Sequence, residues 1–243
     1  MKLLTRSLLL GVLVGTGCAP HERASGTFDK RVPVDHLKRL VIAGVNGDIR
    51  LSSGPADAIV IHALKQTDAG RGALSHIQVV VSRQGQILRI QTQAPGDAHA
   101  VVDYAIAVPP GLVVGSAETE NGNIVASGTP VARLAVENGT IRTQSPGLAY
   151  GKTENGDIQA ELRDVTPDGL LLGTANGNIS LAIAPSVNAA IEGDVDNGSV
   201  TVPKGLFTNT QVLNPTHLRG SLGKGGPSIA LHVDNGDITL TKL

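Results

Sequence analysis

The dipeptide Asn-Gly occurs seven times in this chain, at Asn46-Gly47, Asn121-Gly122, Asn138-Gly139, Asn155-Gly156, Asn176-Gly177, Asn197-Gly198 and Asn235-Gly236. Twelve asparagines and 30 glycines in 243 residues would give about one or two such pairs by chance. Neighbouring sites lie 75, 17, 17, 21, 21 and 38 residues apart. A turn signal at a short, near-constant interval marks a repeat architecture, whose units are too small to bury a face alone and must pack on one another.

Aligned on the asparagine, the flanks alternate with period two, as half-buried strands do. Three residues on stands Ile49, Ile124, Ile141, Ile158, Ile179, Val200 or Ile238, and two further Leu51, Ala126, Thr143, Ala160, Leu181, Val202 or Leu240. Two residues before the asparagine stands Thr119, Val136, Thr153, Thr174, Val195 or Val233, with Gly44 breaking the pattern at the first site. β-branched residues dominate these inward positions, as strands prefer. Asn-Gly suits a tight turn because both residues tolerate positive φ. Two arrangements fit: isolated hairpins, each paired across its own turn, or coils of 17–21 residues stacked as a solenoid. Only stacking requires one residue type at one offset in every unit, because equivalent side chains then lie about 4.8 Å apart. The isoleucine column therefore favours an all-β, single-domain solenoid, with asparagine side chains bonded up and down the corner.

The series VNGDIRL, ENGNIVAS, ENGTIRT, ENGDIQAE, ANGNISL, DNGSVTV and DNGDITL, preceded by AVPPG at Ala107–Gly111, resembles the bacterial "putative adhesin" family, a domain of unknown function. The resemblance covers most of residues 38–243. It implies a β-solenoid-like, surface-associated domain without established enzymatic activity, and it supplies no catalytic residues.

The region between the first two sites differs. Alternating runs at Ala58–Ala63, Ile77–Ser82, Ile87–Gln93 and Val101–Val108, two of them separated by Gln84-Gly85, read as strands and a hairpin that begin and cap the stack. The dense repeats occupy 112–243. The 38-residue gap before Asn235 equals two coils, with Asn214-Pro215 near the missing turn, so this reading places a degenerate coil there. Gly220–Gly226 reads as a flexible loop. The last coil then ends at Leu243 as a bare edge, a liability that Lys242 or a second chain would have to cover.

Residues 1–17 read as an export signal: Lys2 and Arg6, a short apolar run over Leu8–Val14, then Gly15, Thr16 and Gly17. Cys18 follows and is the sole cysteine. Its place resembles a lipoprotein lipobox, although Gly15 stands where that pattern prefers Leu; ordinary cleavage after Gly17 is the alternative. Acyl chains bury about 0.8 kcal/mol per CH₂ and would hold the domain to a membrane. Residues 18–37 read as the anchor and a polar tether, and residues 38–243 as the folded domain. Ala19 suits outer-membrane sorting in a diderm cell. No internal disulfide is possible, so stability rests on the stacked core.

A formal net charge of −1, without a basic stripe, excludes an electrostatic nucleic-acid partner. The chain has no Trp, only Tyr104 and Tyr150, and only Phe28 and Phe207. A thin solenoid filled by aliphatic residues needs few rings, whereas base-stacking and sugar-stacking platforms need several. Asp48, Glu120, Glu137, Glu154, Asp157, Asp196, Asp234 and Asp237 crowd the turns. Stacked corners would line them up, which admits calcium; turn chemistry and solubility explain them equally. Paired carboxylates would also admit glycan hydrolysis, but repetition produces such pairs without function. The seven histidines, at 21, 36, 62, 76, 99, 217 and 232, show no metal-ligand spacing. Neither Gly220–Gly226 nor any serine meets the phosphate-loop or nucleophile-elbow pattern. The expectation is a non-enzymatic, lipid-anchored envelope module without cofactor or metal, offering repeated faces to a protein or envelope partner. The alternatives are a structural or envelope-stress accessory and a glycan hydrolase or lyase.

Overall fold

The computed structural model describes residues 23–243, so the signal segment and Cys18 lie outside the described residues. From there β1 (Ala24–Pro33) precedes β2 (Arg39–Ala43), the Asn46 corner and β3 (Ile49–Ser53). Next come β4 (Ala58–Thr67), a short helix α1 (Gly70–His76), β5 (Gln78–Gln84), β6 (Ile87–Gln93) and β7 (Val101–Val108). Strand–corner–strand units follow: β8 (Val113–Asn121) with β9 (Ile124–Ser127), β10 (Arg133–Asn138) with β11 (Ile141–Gln144), and β12 (Tyr150–Asn155) with β13 (Ile158–Leu162). They continue with β14 (Leu170–Asn176) and β15 (Ile179–Ile183), then β16 (Ala189–Asn197) and β17 (Val200–Thr201). β18 (Asn209–Leu213) and β19 (His217–Leu222) intervene before β20 (Ser228–Asn235) and β21 (Ile238–Lys242).

These strands form two sheets facing one core. The first runs β1-β4-β7-β3-β9-β11-β13-β15-β21-β17 and the second β18-β19-β16-β20-β14-β12-β10-β8-β2-β6-β5. At every Asn-Gly corner the chain crosses from the second sheet to the first, and neighbouring coils pair in parallel and in register, as Asn138↔Asn155 and Ile141↔Ile158 show. Stacked coils therefore replace the hairpin alternative. The chain returns through 128–132, 145–149, 163–169 and 184–188. The longest of these, 163–169, takes up two of the four residues by which a 17-residue unit grows to 21, and longer strands β13 and β14 take up the rest, so the Asn-Gly edge stays regular.

The isoleucine column is the dry spine. Ile49, Ile124, Ile141, Ile158, Ile179 and Ile238 have no solvent exposure, while Val200 at the end is half-buried. Tyr104 occupies the same column opposite Ile49, fully buried, and its hydroxyl bonds the Thr92 hydroxyl at 2.7 Å. At the position two before the asparagine, the buried threonines each have an acceptor. Thr119 donates to the Val45 and Gly47 carbonyls, Thr153 to Gly139 O and Thr174 to Gly156 O. A hydroxyl buried with a partner costs little, so Thr and Val interchange in this column. The exception, Gly44, makes room: a Cβ there would lie 3.2 Å from the Thr119 hydroxyl.

Sequence order and spatial order part at both ends. The unit β6–β7 stacks outside β2–β3, although it follows it in sequence, and β20–β21 inserts between β14–β15 and β16–β17. The strands expected over 58–108 form, and β5 and β6 make the hairpin over Gln84-Gly85. Three expectations are corrected. The degenerate coil before Asn235 is an antiparallel hairpin, β18–β19, laid against β16. Asn214 turns it by accepting the Thr216 and His217 N–H groups on its side-chain oxygen, which stops the chain from starting another corner. The carboxyl-terminal strand β21 is no bare edge, because β15 and β17 flank it and Lys242 Nζ donates to the Lys204 carbonyl. Finally, β1 takes residues 24–33 out of the segment read as a tether. Its alternation turns Phe28 and Val32 onto the core, it pairs with β4 along its full length, and Arg31 forks onto Asp57 at 2.7 and 2.8 Å.

Candidate functional site: the Asn-Gly edge and the outer sheet faces

All seven Asn-Gly pairs lie on one edge. Each asparagine amide donates to the side-chain oxygen of its neighbour: Asn121 to Asn46 (2.8 Å), Asn138 to Asn121 (2.9 Å), Asn155 to Asn138 (2.9 Å), Asn176 to Asn155 (2.9 Å), Asn235 to Asn176 (3.1 Å) and Asn197 to Asn235 (3.2 Å). Asn46 ends the ladder on the Ala100 carbonyl. The glycine N–H groups run the other way, as Gly139 N to Asn155 O at 2.9 Å. Only the glycines take positive φ here, from 118° at Gly47 to 150° at Gly156 and Gly177. The pair is thus not a hairpin turn with both residues left-handed. Glycine is needed because the preceding corner presses on it: a Cβ at Gly139 would sit 1.9 Å from Gly122 O.

The acidic residues divide by role. Asp48, Asp157 and Asp237 stand two residues after the asparagine and accept backbone N–H groups of the next coil, from Asn123 (2.9 Å), Asn178 (2.8 Å) and Ser199 (2.8 Å). One oxygen of each carboxylate is committed to the corner. Glu120, Glu137 and Glu154, one before the asparagine, form an exposed row. Where β16 meets β20, Asp196, His232 and Asp234 bring ligand atoms within 4.8 Å of one another, with His232 Nε2 2.9 Å from Asp234. Asp194 pairs with His217 beside them.

The outer face of the second sheet carries the feature that residue-by-residue reading missed. Arg133 lies 3.9 Å over the Tyr150 ring and donates from Nε to Glu118 at 3.1 Å. With Lys152 and the glutamate row these residues line an open groove of about 420 Å³. Aligning the repeats could have found it, because Arg133 and Tyr150 both stand five before their asparagine and pair in register. The outer face of the first sheet is quieter: Arg142 donates to Gln159 at 2.9 Å and Gln144 to Glu161 at 2.7 Å.

The model of the Toastrack DUF4097 family matches residues 27–241. The chain belongs to this family. The Toastrack domain is one of unknown function, so membership fixes the architecture and leaves the chemistry to the faces. Among solved structures, a "putative cell adhesion protein" from Clostridium sporogenes is similar over 90% of this chain and 100% of its own, at 10% identity and a TM-score of 0.52, which shows a shared fold. A "putative adhesin" from Bacteroides fragilis aligns over 92% and 99% at 15% identity, with a TM-score of 0.35, too low to carry an argument. No curated protein matches.

Proposed function

We propose that the chain is a non-catalytic cell-envelope module, held to a membrane by a lipid on Cys18, that offers the outer face of its second sheet to a protein or envelope partner. The observation that carries this reading is the groove of Glu118, Arg133 and Tyr150 beside the stacked Glu120, Glu137 and Glu154. An arginine held over a ring and a row of carboxylates at strand spacing recognise an extended, oppositely patterned surface rather than a small enclosed substrate. Repetition along the stack adds avidity to weak single contacts. The Clostridium sporogenes neighbour described as a "putative cell adhesion protein" accords with a surface role.

Crosslinking in native membranes tests it. A photoreactive residue on the second sheet at Leu171 should capture one envelope component, and one at Ser180 on the first sheet should not. Charge reversal of Glu120, Glu137 and Glu154 should abolish capture while leaving the circular dichroism unchanged; Asp157 is left intact, because it holds its corner together. Equal capture from both faces, or capture indifferent to the reversal, overturns the assignment. Turnover of a polysaccharide by the purified domain overturns the non-catalytic reading. Cys18→Ser should release the protein from membranes, and retention refutes the anchor.

A further inference from the structure

We propose that Asn197 is the site of spontaneous deamidation in the native protein, and that the other six Asn-Gly pairs are protected by the stack. All seven share the same following residue, so the chain gives them nearly equal intrinsic reactivity: the backbone nitrogen after the asparagine is the nucleophile, and glycine hinders it least. In the reaction, Gly198 N loses its proton and bonds to Asn197 Cγ. The Cγ–Nδ2 bond breaks and ammonia departs with that proton. Water then opens the resulting succinimide at either carbonyl, leaving aspartate or isoaspartate. No other reactant is needed.

The structure breaks the tie through the polarity of the ladder. Every corner glycine but one donates its N–H to the asparagine carbonyl of the next coil: Gly47 to Asn121, Gly122 to Asn138, Gly139 to Asn155, Gly156 to Asn176, Gly177 to Asn235 and Gly236 to Asn197. Among the described residues no acceptor takes the Gly198 N–H and no donor reaches the Asn197 side-chain oxygen, because no coil lies beyond them. Gly198 is also exposed, whereas the other six corner glycines are half-buried. Six nucleophiles are therefore tied up and packed, and their asparagine side chains are bridged on both sides. Rotation toward Cγ would require breaking at least two hydrogen bonds and parting two coils. At Asn197 the nucleophile is free and only one side of the amide is held, by Asn235 and the Asp234 carbonyl. The new carboxylate arises beside Asp196 and Asp234, so an aged molecule carries a denser negative end.

The test needs no variant. The folded protein is incubated at mildly alkaline pH and peptide-mapped over time by mass spectrometry, with isoaspartate scored at each site; a second sample is held in denaturant. In the folded sample Asn197 should convert about tenfold or more faster than any other pair, since each hydrogen bond that must open lowers the rate severalfold. In denaturant the seven should converge. Comparable native rates at all seven, or a faster site elsewhere in the ladder, overturn the proposal, as does full protection of Asn197 over a period in which the denatured sample converts.

Discussion

The middle of the stack and its two ends are built from the same unit but held in different ways. From Asn121 to Asn176, each ladder bond joins residues 17 or 21 apart, and every strand pairs with the equivalent strand of the coil that follows it in sequence. At the ends the same bonds span 75, 59 and 38 residues. At the amino end the chain steps outward to β6–β7 and comes back past β2–β3 to lay down β8–β9; at the carboxyl end it runs past its place, turns back and inserts β20–β21 inside β16–β17. The insertion surrenders the local contacts that make solenoids quick to assemble. In return, β21 is an interior strand, and antiparallel segments (β1 and β4 at one end, β5 at the same end of the other sheet, β18 and β19 at the far end of the second sheet) close three of the four sheet ends, leaving the two-residue β17 as the fourth. An antiparallel strand presents no corner, so no further parallel coil can add in register.

The largest expected effect separates the Asn-Gly edge from the opposite edge in the middle of the stack. Gly139→Ala drives a methyl group into Gly122 O and should cost more than about 4 kcal/mol or prevent folding. Gly147→Ala, on the return side with open space around it, should cost no more than about 1–2 kcal/mol of backbone strain at its φ of 78°. Urea unfolding midpoints decide it; equal losses would mean that the corner tolerates a wider spacing than the ladder shows.

A smaller contrast compares one column in the middle and at the end. Ile141→Ala empties a site with no solvent exposure and should cost about 3–4 kcal/mol. Val200→Ala, half-buried on a two-residue edge strand, should cost about 1 kcal/mol. Similar values for the two would show that the spine unfolds as one unit regardless of position.

The smallest effect is a pH dependence at the amino end of that column. Burial pushes the Tyr104 hydroxyl above its ordinary value of 10.0, and the bond to Thr92 only partly opposes this. The folded state therefore holds the proton that the unfolded chain releases. Its contribution is complete below pH 10.0 and fades as pH rises through the higher folded value. Thermal melts of wild type and Tyr104→Phe should differ by a constant offset at neutral pH and converge above pH 10.0. A constant offset throughout would remove the tyrosine from the account.

The unit was legible in the sequence: the Asn-Gly period located every corner except the one between β6 and β7, the period-two flanks gave the inward face, and the scarcity of rings matched a narrow aliphatic interior. The candidate groove was only half legible. Arg133 and Tyr150 share an offset from their asparagines, but nothing local says that a charge will lie over a ring. Likewise Asp157 and Glu154 are both acids at a turn. Only their facing separates a carboxylate spent on the Asn178 N–H from one left to solvent.

By itself the sequence determined what each coil looks like, because alternation and the glycine requirement act over a few residues. It did not determine which coil lies beside which at the ends. Strands that share one pattern pair almost equally well with any of the others, so local preference cannot rank the choices. Connection lengths, the Asn214 turn and the capping strands settled that order. With it they fixed where the ladder stops and leaves Asn197 and Gly198 open.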